Sequence, residues 1–425
     1  MKGLFIKMLV KKKAKIFYGW WIVLAVFVAL FFNYGLRYSF GIFIKPLVKE
    51  FSWSRGQTST ILSLHMCMYA FSGFIWGWLS DHKLGAKIII SLGCTITGLS
   101  IVFMFFCNSF WYAILFFSIL SGIGAGAIYV PGVSAVGKVF ELNKGFALGI
   151  VSAAVGLSYI WSPFINIQIT RHGWRSAYFI FGLLMAIIGT SLSMWLIRIP
   201  GTEYSLKKSK KKKAFDGRPL TQLSRYLSVI GNITSVTKGN KLPIWLLNLM
   251  YVFALLSFYI VNTHLVPYLI DNGFSTAKAS TFLAFIGILS VGGRIGFGIL
   301  SDEIGRAAIF YTSFLLQGFG VLSFMFIKDS NIFLIIGIVS LGIGYGGWVP
   351  QFPAAIDDIY GAKDIGTLLG LNAFCGTFFG ASLGPWFGGY LFDISGTYFL
   401  TFIVSAIASF FALAFSIFLF ETIKL

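Results

Sequence analysis

The sequence predicts an all-α membrane protein: twelve transmembrane helices in two pseudo-symmetric six-helix bundles, with both termini cytoplasmic. Three observations predict it. The 425 residues are 57% hydrophobic and 11% charged, too apolar for the surface of a soluble domain of that length. Apolar windows of about 20 residues, the length that crosses a hydrocarbon core of ~30 Å, recur along the whole chain. A short Gly-x-x-x-Asp string also closes two of these windows at equivalent places, Gly77 to Asp81 and Gly298 to Asp302.

The windows run over 17–43, 58–80, 86–107, 110–137, 145–168, 177–197, 242–268, 277–301, 307–327, 331–356, 365–391 and 397–420. The lysines between Lys2 and Lys15 give the start the charged head of a signal peptide. The apolar run behind them is far longer than an h-region of roughly 7–15 residues, so it reads as a first span that stays attached. The longest polar stretch, 198–241, carries Lys207, Lys208, Lys210, Lys211, Lys212 and Lys213. It divides the chain into an N-terminal bundle over 1–197, a basic cytoplasmic linker over 198–241 and a C-terminal bundle over 242–425.

The net charge of +19 follows membrane topology rather than nucleic acid, since no basic, aromatic-interleaved soluble domain carries it. Placing the N-terminus, the linker, the even-numbered loops and the C-terminus on one side collects most of the 33 Lys and Arg. The other side holds Lys45, Lys49, Arg55, Arg171, Arg175, Lys278 and Lys328. Both termini are therefore expected in the cytoplasm, in a multi-pass protein of the plasma (inner) membrane. Cys67, Cys94, Cys107 and Cys375 show no metal-ligand spacing and read as free thiols. No nucleophile–base pair, phosphate loop or metal cluster points to an enzyme, and no metal or cofactor is expected. The expected surrounding is the bilayer, with a monomer as the functional unit.

Topology leaves two basic residues unexplained, Arg37 and Arg294, both inside spans. A guanidinium in hydrocarbon costs about 2.5–3.5 kcal/mol on insertion scales, so each must face protein or water and is a functional-site candidate. Arg294 lies eight residues before Asp302, roughly 12 Å from the end of its helix at 1.5 Å per residue. Its planar fork matches two carboxylate oxygens, and the spans contain no acid to pair with it, which favours substrate contact over a structural role. Arg37 shares a helix face with Asn33 and Tyr34; substrate or outer-gate contact and snorkelling to the surface both stand open. His65 on the second span and His264 on the seventh are proton-coupling candidates, with an interhelical hydrogen bond as the alternative for each. Asn262 beside His264, Tyr345 and Trp348 on the tenth span, and Asn372 on the eleventh complete the polar candidates for the cavity wall. Glycine steps such as Gly122/Gly126 and Gly376/Gly380/Gly384 read as close helix contacts.

Several strings then add a resemblance. The two Gly-x-x-x-Asp loops are similar to the cytoplasmic signature of the major facilitator superfamily, the first with one extra residue between Asp81 and Gly85. Tyr18-Gly-Trp-Trp, Tyr34-Gly-Leu-Arg37-Tyr-Ser-Phe-Gly41, Gly122-Ile-Gly-Ala-Gly-Ala-Ile-Tyr129-Val-Pro131, Gly173-Trp-Arg-Ser-Ala-Tyr178, His264-Leu-Val-Pro267-Tyr and Gly384-Pro385 together resemble its branch of oxalate:formate antiporters and monocarboxylate transporters. The resemblance implies the major facilitator fold, with gating contacts at Gly77, Asp81, Gly298, Asp302, Gly305 and Arg306. It puts at Arg294 the eighth-helix arginine that holds the substrate carboxylate, and at Tyr129 a carboxylate-contacting tyrosine. In animal relatives a lysine near Arg37 takes part in binding. Two positions depart from the branch. Cys375 lies nearest the eleventh-helix lysine of the oxalate exchanger, which argues for a monoanion, and Ser290 stands where animal monocarboxylate transporters have an acid.

The expected function is a secondary transporter moving a small organic anion of the lactate, pyruvate or formate type by alternating access, with proton symport favoured by family analogy. Exchange of the oxalate:formate type and export of a drug or metabolite remain open. A membrane anion sensor is the rival from another class.

Overall fold

The computed structural model describes residues 17–80, 84–140, 144–198, 237, 241–361 and 365–423. Asp81, the lysine-rich start before Phe17, Lys363 and nearly all of the 198–241 linker lie outside the described residues. Within them the chain is helical with short connections. The elements are α1 (Gly19–Tyr38), α2 (Phe40–Phe51), α3 (Arg55–Leu79), α4 (Gly85–Phe106), α5 (Phe110–Val139), α6 (Gly145–Leu196), α7 (Leu242–Asp271), α8 (Thr276–Ile304), α9 (Arg306–Phe326), α10 (Asn331–Tyr360), α11 (Thr367–Ser395) and α12 (Phe399–Ile423). All but α2 are long and apolar enough to cross a membrane, eleven candidate spans among the described residues.

Local chemistry accounts for several boundaries. Ser54 accepts from the Gln57 backbone N–H while Gln57 Oε1 accepts from that of Ser54, each at 3.1 Å, a capping box that starts α3. Ser275 starts α8 by accepting from the Lys278 N–H at 3.3 Å. The 52 residues of α6 would measure about 78 Å as one straight helix, more than twice a hydrocarbon core. Gly173, at φ 81° and ψ 163°, breaks it between the expected fifth and sixth spans, a backbone conformation that only glycine adopts freely.

The first span differs from its expected extent of 17–43. The helix ends at Tyr38, bends at Ser39 and resumes as α2. The Ser39 hydroxyl shares a 2.9 Å hydrogen bond with Ser162 of α6. The redirected α2 buries Phe40, Phe43, Ile44 and Leu47 while leaving Lys49 and Glu50 exposed.

The glycine steps seen in the sequence hold helices together within α1–α6 and within α7–α12. Gly122 and Gly126 of α5 abut the α3 backbone, and Gly376, Gly380 and Gly384 of α11 abut α7. Contact between the two sets of helices uses other residues. At the α6–α8 crossing, a Cβ on Gly287 would collide with the Tyr159 side chain and the Gly156 carbonyl. On α11, Trp386 donates its backbone N–H to Ser63 Oγ of α3 at 2.9 Å.

Ion pairs lie at the two ends of the helices. At one end they join the two sets: Asp271 of α7 receives Lys45 at 2.6 Å and Arg55 at 2.5 Å. Asp393 of α11 accepts the backbone N–H groups of Arg55 and Gly56 at 3.0 and 2.8 Å. Glu50, at the same end, accepts from Trp174 Nε1 at 2.6 Å and Arg175 Nη1 at 2.5 Å. Partial burial pushes its carboxyl up, but the Trp174 and Arg175 donors outweigh that and hold it below the usual carboxylate range. At the opposite end, Arg306 bridges Asp302 at 3.0 Å and Asp358 at 3.2 Å, joining only α8, α9 and α10.

Candidate functional site

Every described Asp and Glu sits at or near a helix end, so neither Arg37 nor Arg294 meets an acid inside a span. Their surroundings must compensate two positive charges by other means.

Arg37 does not snorkel. It is 2% exposed, with its guanidinium carbon 3.9 Å from the Tyr34 ring centroid, 4.5 Å from that of Tyr69 and 5.7 Å from that of Tyr38. Desolvated cation–π contacts are worth about 2 kcal/mol each and take the place of a counter-ion. Arg37 Nη1 also points at Met66 Sδ at 3.8 Å, and Nε meets no protein acceptor.

Arg294 is half-buried. Its Nη1 donates to the Ser152 hydroxyl at 2.7 Å and to the Ser152 carbonyl at 3.1 Å, and its guanidinium carbon lies 5.4 Å from the Tyr345 ring centroid. Nε and Nη2 are buried without a protein partner. These two nitrogens form one edge of the guanidinium, whose N–H bonds run parallel at the spacing of two carboxylate oxygens. Ser152 therefore orients the group and leaves its bidentate edge free.

A chain of tyrosines links the two arginines. Tyr34 packs edge-on against Tyr38 and Tyr129, with centroids 5.3 and 6.2 Å apart, and shares a 3.3 Å hydrogen bond with Tyr69. Tyr38 and Tyr345 share one at 2.8 Å, from α1 to α10. Tyr38 stacks on Tyr159 at 4.5 Å, and the Tyr159 hydroxyl donates to Asn262 Oδ1 at 2.5 Å. Asn262 in turn donates to the Tyr38 carbonyl at 3.4 Å. Phenols on both sets of helices thus surround the space between two unneutralised cations.

The remaining sequence candidates divide. Tyr34, Tyr129, Asn262 and Tyr345 join this cluster, whereas Asn33 lies with His65 on a small cavity on the other side of Arg37. His65 lies behind Arg37, with Nδ1 3.0 Å from the Phe117 carbonyl. His264 lies toward the Asp271 end, where Nε2 meets the Pro385 carbonyl at 2.8 Å and Nδ1 the Tyr398 hydroxyl at 3.4 Å. Trp348 donates to Gln317 at 2.7 Å within α9–α10 packing. Asn372 donates to the Leu247 carbonyl and Asn248 Oδ1, both at 3.1 Å. The polar groups of these last three are engaged elsewhere, and the structure does not bring them to either arginine. Ser290 is fully buried and donates to the Gly287 carbonyl of its own helix at 2.7 Å. Of the gating set, Gly298, Gly305, Asp302 and Arg306 surround the α8–α9 turn, and Asp358 pairs with Arg306. Gly77 lies on α3 against Val130 of α5. Sequence reasoning missed Tyr38, Tyr159 and Ser152. Tyr38 had a signal in its adjacency to Arg37; Ser152 had none, because only helix crossing brings α6 to α8.

The pattern of the Major Facilitator Superfamily matches residues 26–381. The chain belongs to the major facilitator superfamily. It is 24% identical to monocarboxylate transporter 12 of Xenopus laevis over 408 residues, 93% of this chain and 87% of that one. It is 26% identical to the uncharacterized MFS-type transporter YcxA of Bacillus subtilis (strain 168) over 392 residues, 90% of each. Among solved structures, a bacterial homolog of the human lysosomal transporter Spinster, in an inward-facing and occupied conformation, matches with a TM-score of 0.70 at 17% identity over 96% of this chain and 97% of that one. A POT family transporter bound to a thioalcohol-conjugated peptide matches with a TM-score of 0.71 at 13% identity over 94% and 96%. The protein is thus a multi-pass membrane transporter of this superfamily, and the two arginines lie within the matched region.

Proposed function

We propose that this superfamily member carries a small organic anion, a monocarboxylate of the lactate, pyruvate or formate type, across the plasma membrane on twelve spans in two six-helix halves. The observation that carries the reading is the free Nε/Nη2 edge of Arg294, held by Ser152 and facing no acid. A carboxylate bound there gains two charge-assisted hydrogen bonds and neutralises a cation that otherwise stays uncompensated in low dielectric. The relatives named monocarboxylate transporters support the substrate class.

In this reading the Lys45–Asp271–Arg55 end faces outward and closes the pathway on that side. Anion binding between the Arg37 and Arg294 sides then favours closure of the opposite end, because the ligand prefers the state in which both sets of helices contact it. The Arg306–Asp302–Asp358 contacts stiffen that inner end within one half. Proton symport is the favoured coupling, with no carboxylate assigned to carry the proton.

One observation favours a second reading. Arg37 is a second buried guanidinium without an acid, so a dicarboxylate taken up in exchange would neutralise both charges. Thermal-shift titration with lactate, pyruvate, formate, oxalate and malonate tests the two together. Stabilisation by the monoanions supports the first reading, stabilisation by the dianions alone supports the second, and none by any carboxylate ends both. Uptake of the stabilising anion into proteoliposomes separates a transporter from a sensor, which binds without lumenal accumulation.

A further inference from the structure

A small cavity of about 10 Å³ lies behind Arg37, lined by Asn33, Leu36, Arg37, His65, Thr97, Ile101, Phe117 and Ser121. Three of these residues carry buried polar atoms without a protein partner: Asn33 Nδ2, Arg37 Nε and His65 Nε2. Each of the three is 2–3% exposed. Unsatisfied buried polar groups are uncommon, and three on the wall of one cavity have a common explanation.

Their chemistry specifies the occupant. Arg37 Nε and Asn33 Nδ2 can only donate. His65 Nδ1 faces the Phe117 carbonyl at 3.0 Å, and a carbonyl only accepts, so Nδ1 carries the imidazole proton and Nε2 is left as an acceptor. The Ser121 hydroxyl, 3.3 Å from the same Nδ1, is compatible with that tautomer. The cavity therefore offers two donors and one acceptor in the space of roughly one water, which requires about 10–15 Å³ and two to four polar partners. A chloride ion would face the Nε2 lone pair, a metal cation would face two N–H donors, and a carboxylate needs room for three heavy atoms.

We infer that this cavity is a binding site for a single water, which accepts from Arg37 Nε and Asn33 Nδ2 and donates to His65 Nε2. The water ties α1 to α3 and fixes one face of the Arg37 guanidinium, so that its other groups stay against Tyr34 and Tyr69 on the tyrosine-lined side. His65 is then a positioning residue that acts on Arg37 through the water, and its ring nitrogens are both engaged. The water site stands on geometry alone. Its effect on anion binding rests on the reading above.

The test has two arms. An experimental structure of the full-length wild type, at a resolution where ordered waters are visible, should show one isolated peak within hydrogen-bond distance of all three atoms. ¹⁵N NMR of the histidine-labelled protein, with the His65 signal assigned by its loss in His65→Gln, should show Nδ1 protonated and Nε2 unprotonated at neutral pH. An empty cavity, or a proton on Nε2 with Nδ1 bare, overturns the inference. The second arm uses the carboxylate that stabilises the wild type. His65→Leu, which removes the acceptor, should weaken its binding about tenfold, the upper end of the worth of one neutral hydrogen bond. His65→Gln, which keeps an acceptor oxygen, should stay closer to wild type than to His65→Leu. Equal affinity in His65→Leu and wild type overturns the positioning role. If no carboxylate binds the wild type while the water peak and tautomer are as described, the transport reading fails and the water site stands.

Discussion

Arg37 and Arg294 are the same residue type, each inside an apolar helix and without an acid, yet their surroundings answer the charge in opposite ways. Around Arg37 the protein offers ring faces, a thioether and a closed pocket at 2% exposure. Around Arg294 it offers one serine, one ring at 5.4 Å and an unoccupied donor edge. On the proposed reading the difference is a division of labour: Arg294, with directional donors free, would grip a planar anion, whereas Arg37, sequestered among rings, would act chiefly as a positive potential. Long-range attraction is strong there because little solvent intervenes to screen it.

The largest expected effect breaks the directional half of this comparison. Arg294→Gln should weaken carboxylate binding about 100-fold or more, in line with truncation of one partner of a buried charge pair. Arg294→Lys should recover only part of that loss, because an ammonium cannot supply the parallel edge. Calorimetric or thermal-shift titration reads both, and full recovery with lysine removes the bidentate argument.

Next in size is an effect of opposite sign at the other arginine. Arg37→Met relieves an insertion cost of about 2.5–3.5 kcal/mol but forfeits ring contacts of about 2 kcal/mol, so it should stabilise the protein by about 1 kcal/mol, while weakening anion binding through the lost potential. Arg294→Met should change stability much less, since that guanidinium is only half-buried. Equal stability changes in the two variants, measured in one detergent by thermal unfolding, contradict the contrast in burial.

The paired charges at the Lys45 end sharpen the comparison, because there Asp271 and Glu50 each have a cation. Asp271→Asn leaves Lys45 and Arg55 without their shared partner. With side chains up to about a third exposed, the loss should be about 1 kcal/mol or less, but it falls on contacts joining the two sets of helices. Cysteines placed near Gly41 or Thr263 should accordingly label faster in Asp271→Asn. Unchanged labelling denies that these pairs hold that end shut.

The smallest effect is the pH response of Glu50. Its carboxyl is held below the usual range by Trp174 and Arg175, so the folded state binds that proton less readily than the unfolded chain. The stabilisation is present above the ordinary carboxylate value of about 4.3 and is lost as pH falls through the lower folded value. Glu50→Gln should lose that stabilisation near neutrality, by about 1 kcal/mol or less for so exposed a pair, and flatten the fall in stability across the acid window.

Much of the fold was legible because the signals are local. Span positions follow from apolar length, and the gap between the fifth and sixth windows, 168 to 177, brackets the α6 break at Gly173. Arg37 and Arg294 stood out because charge in an apolar run is visible from composition alone. The resemblance to monocarboxylate transporters was legible from strings such as Tyr34 to Gly41. The bend at Ser39 was not, because it depends on a hydroxyl of α6, and neither was the pairing of Asp358 with Arg306.

By itself, the sequence determined which segments are long and apolar enough to cross a membrane, where the Gly-x-x-x-Asp string recurs and which two cations lie inside apolar runs. These depend on hydrophobicity and periodicity, which act over a helix length or less. Only the tertiary structure decided that Arg37 is caged instead of snorkelling, and that Tyr38 meets Tyr345 across 307 residues. It also decided that Ser152 frees one edge of Arg294, and that His264, Trp348 and Asn372 are engaged elsewhere. Those outcomes depend on the rotation and crossing of packed helices, because hydrogen bonds and ring contacts are set within a few ångströms by which faces meet.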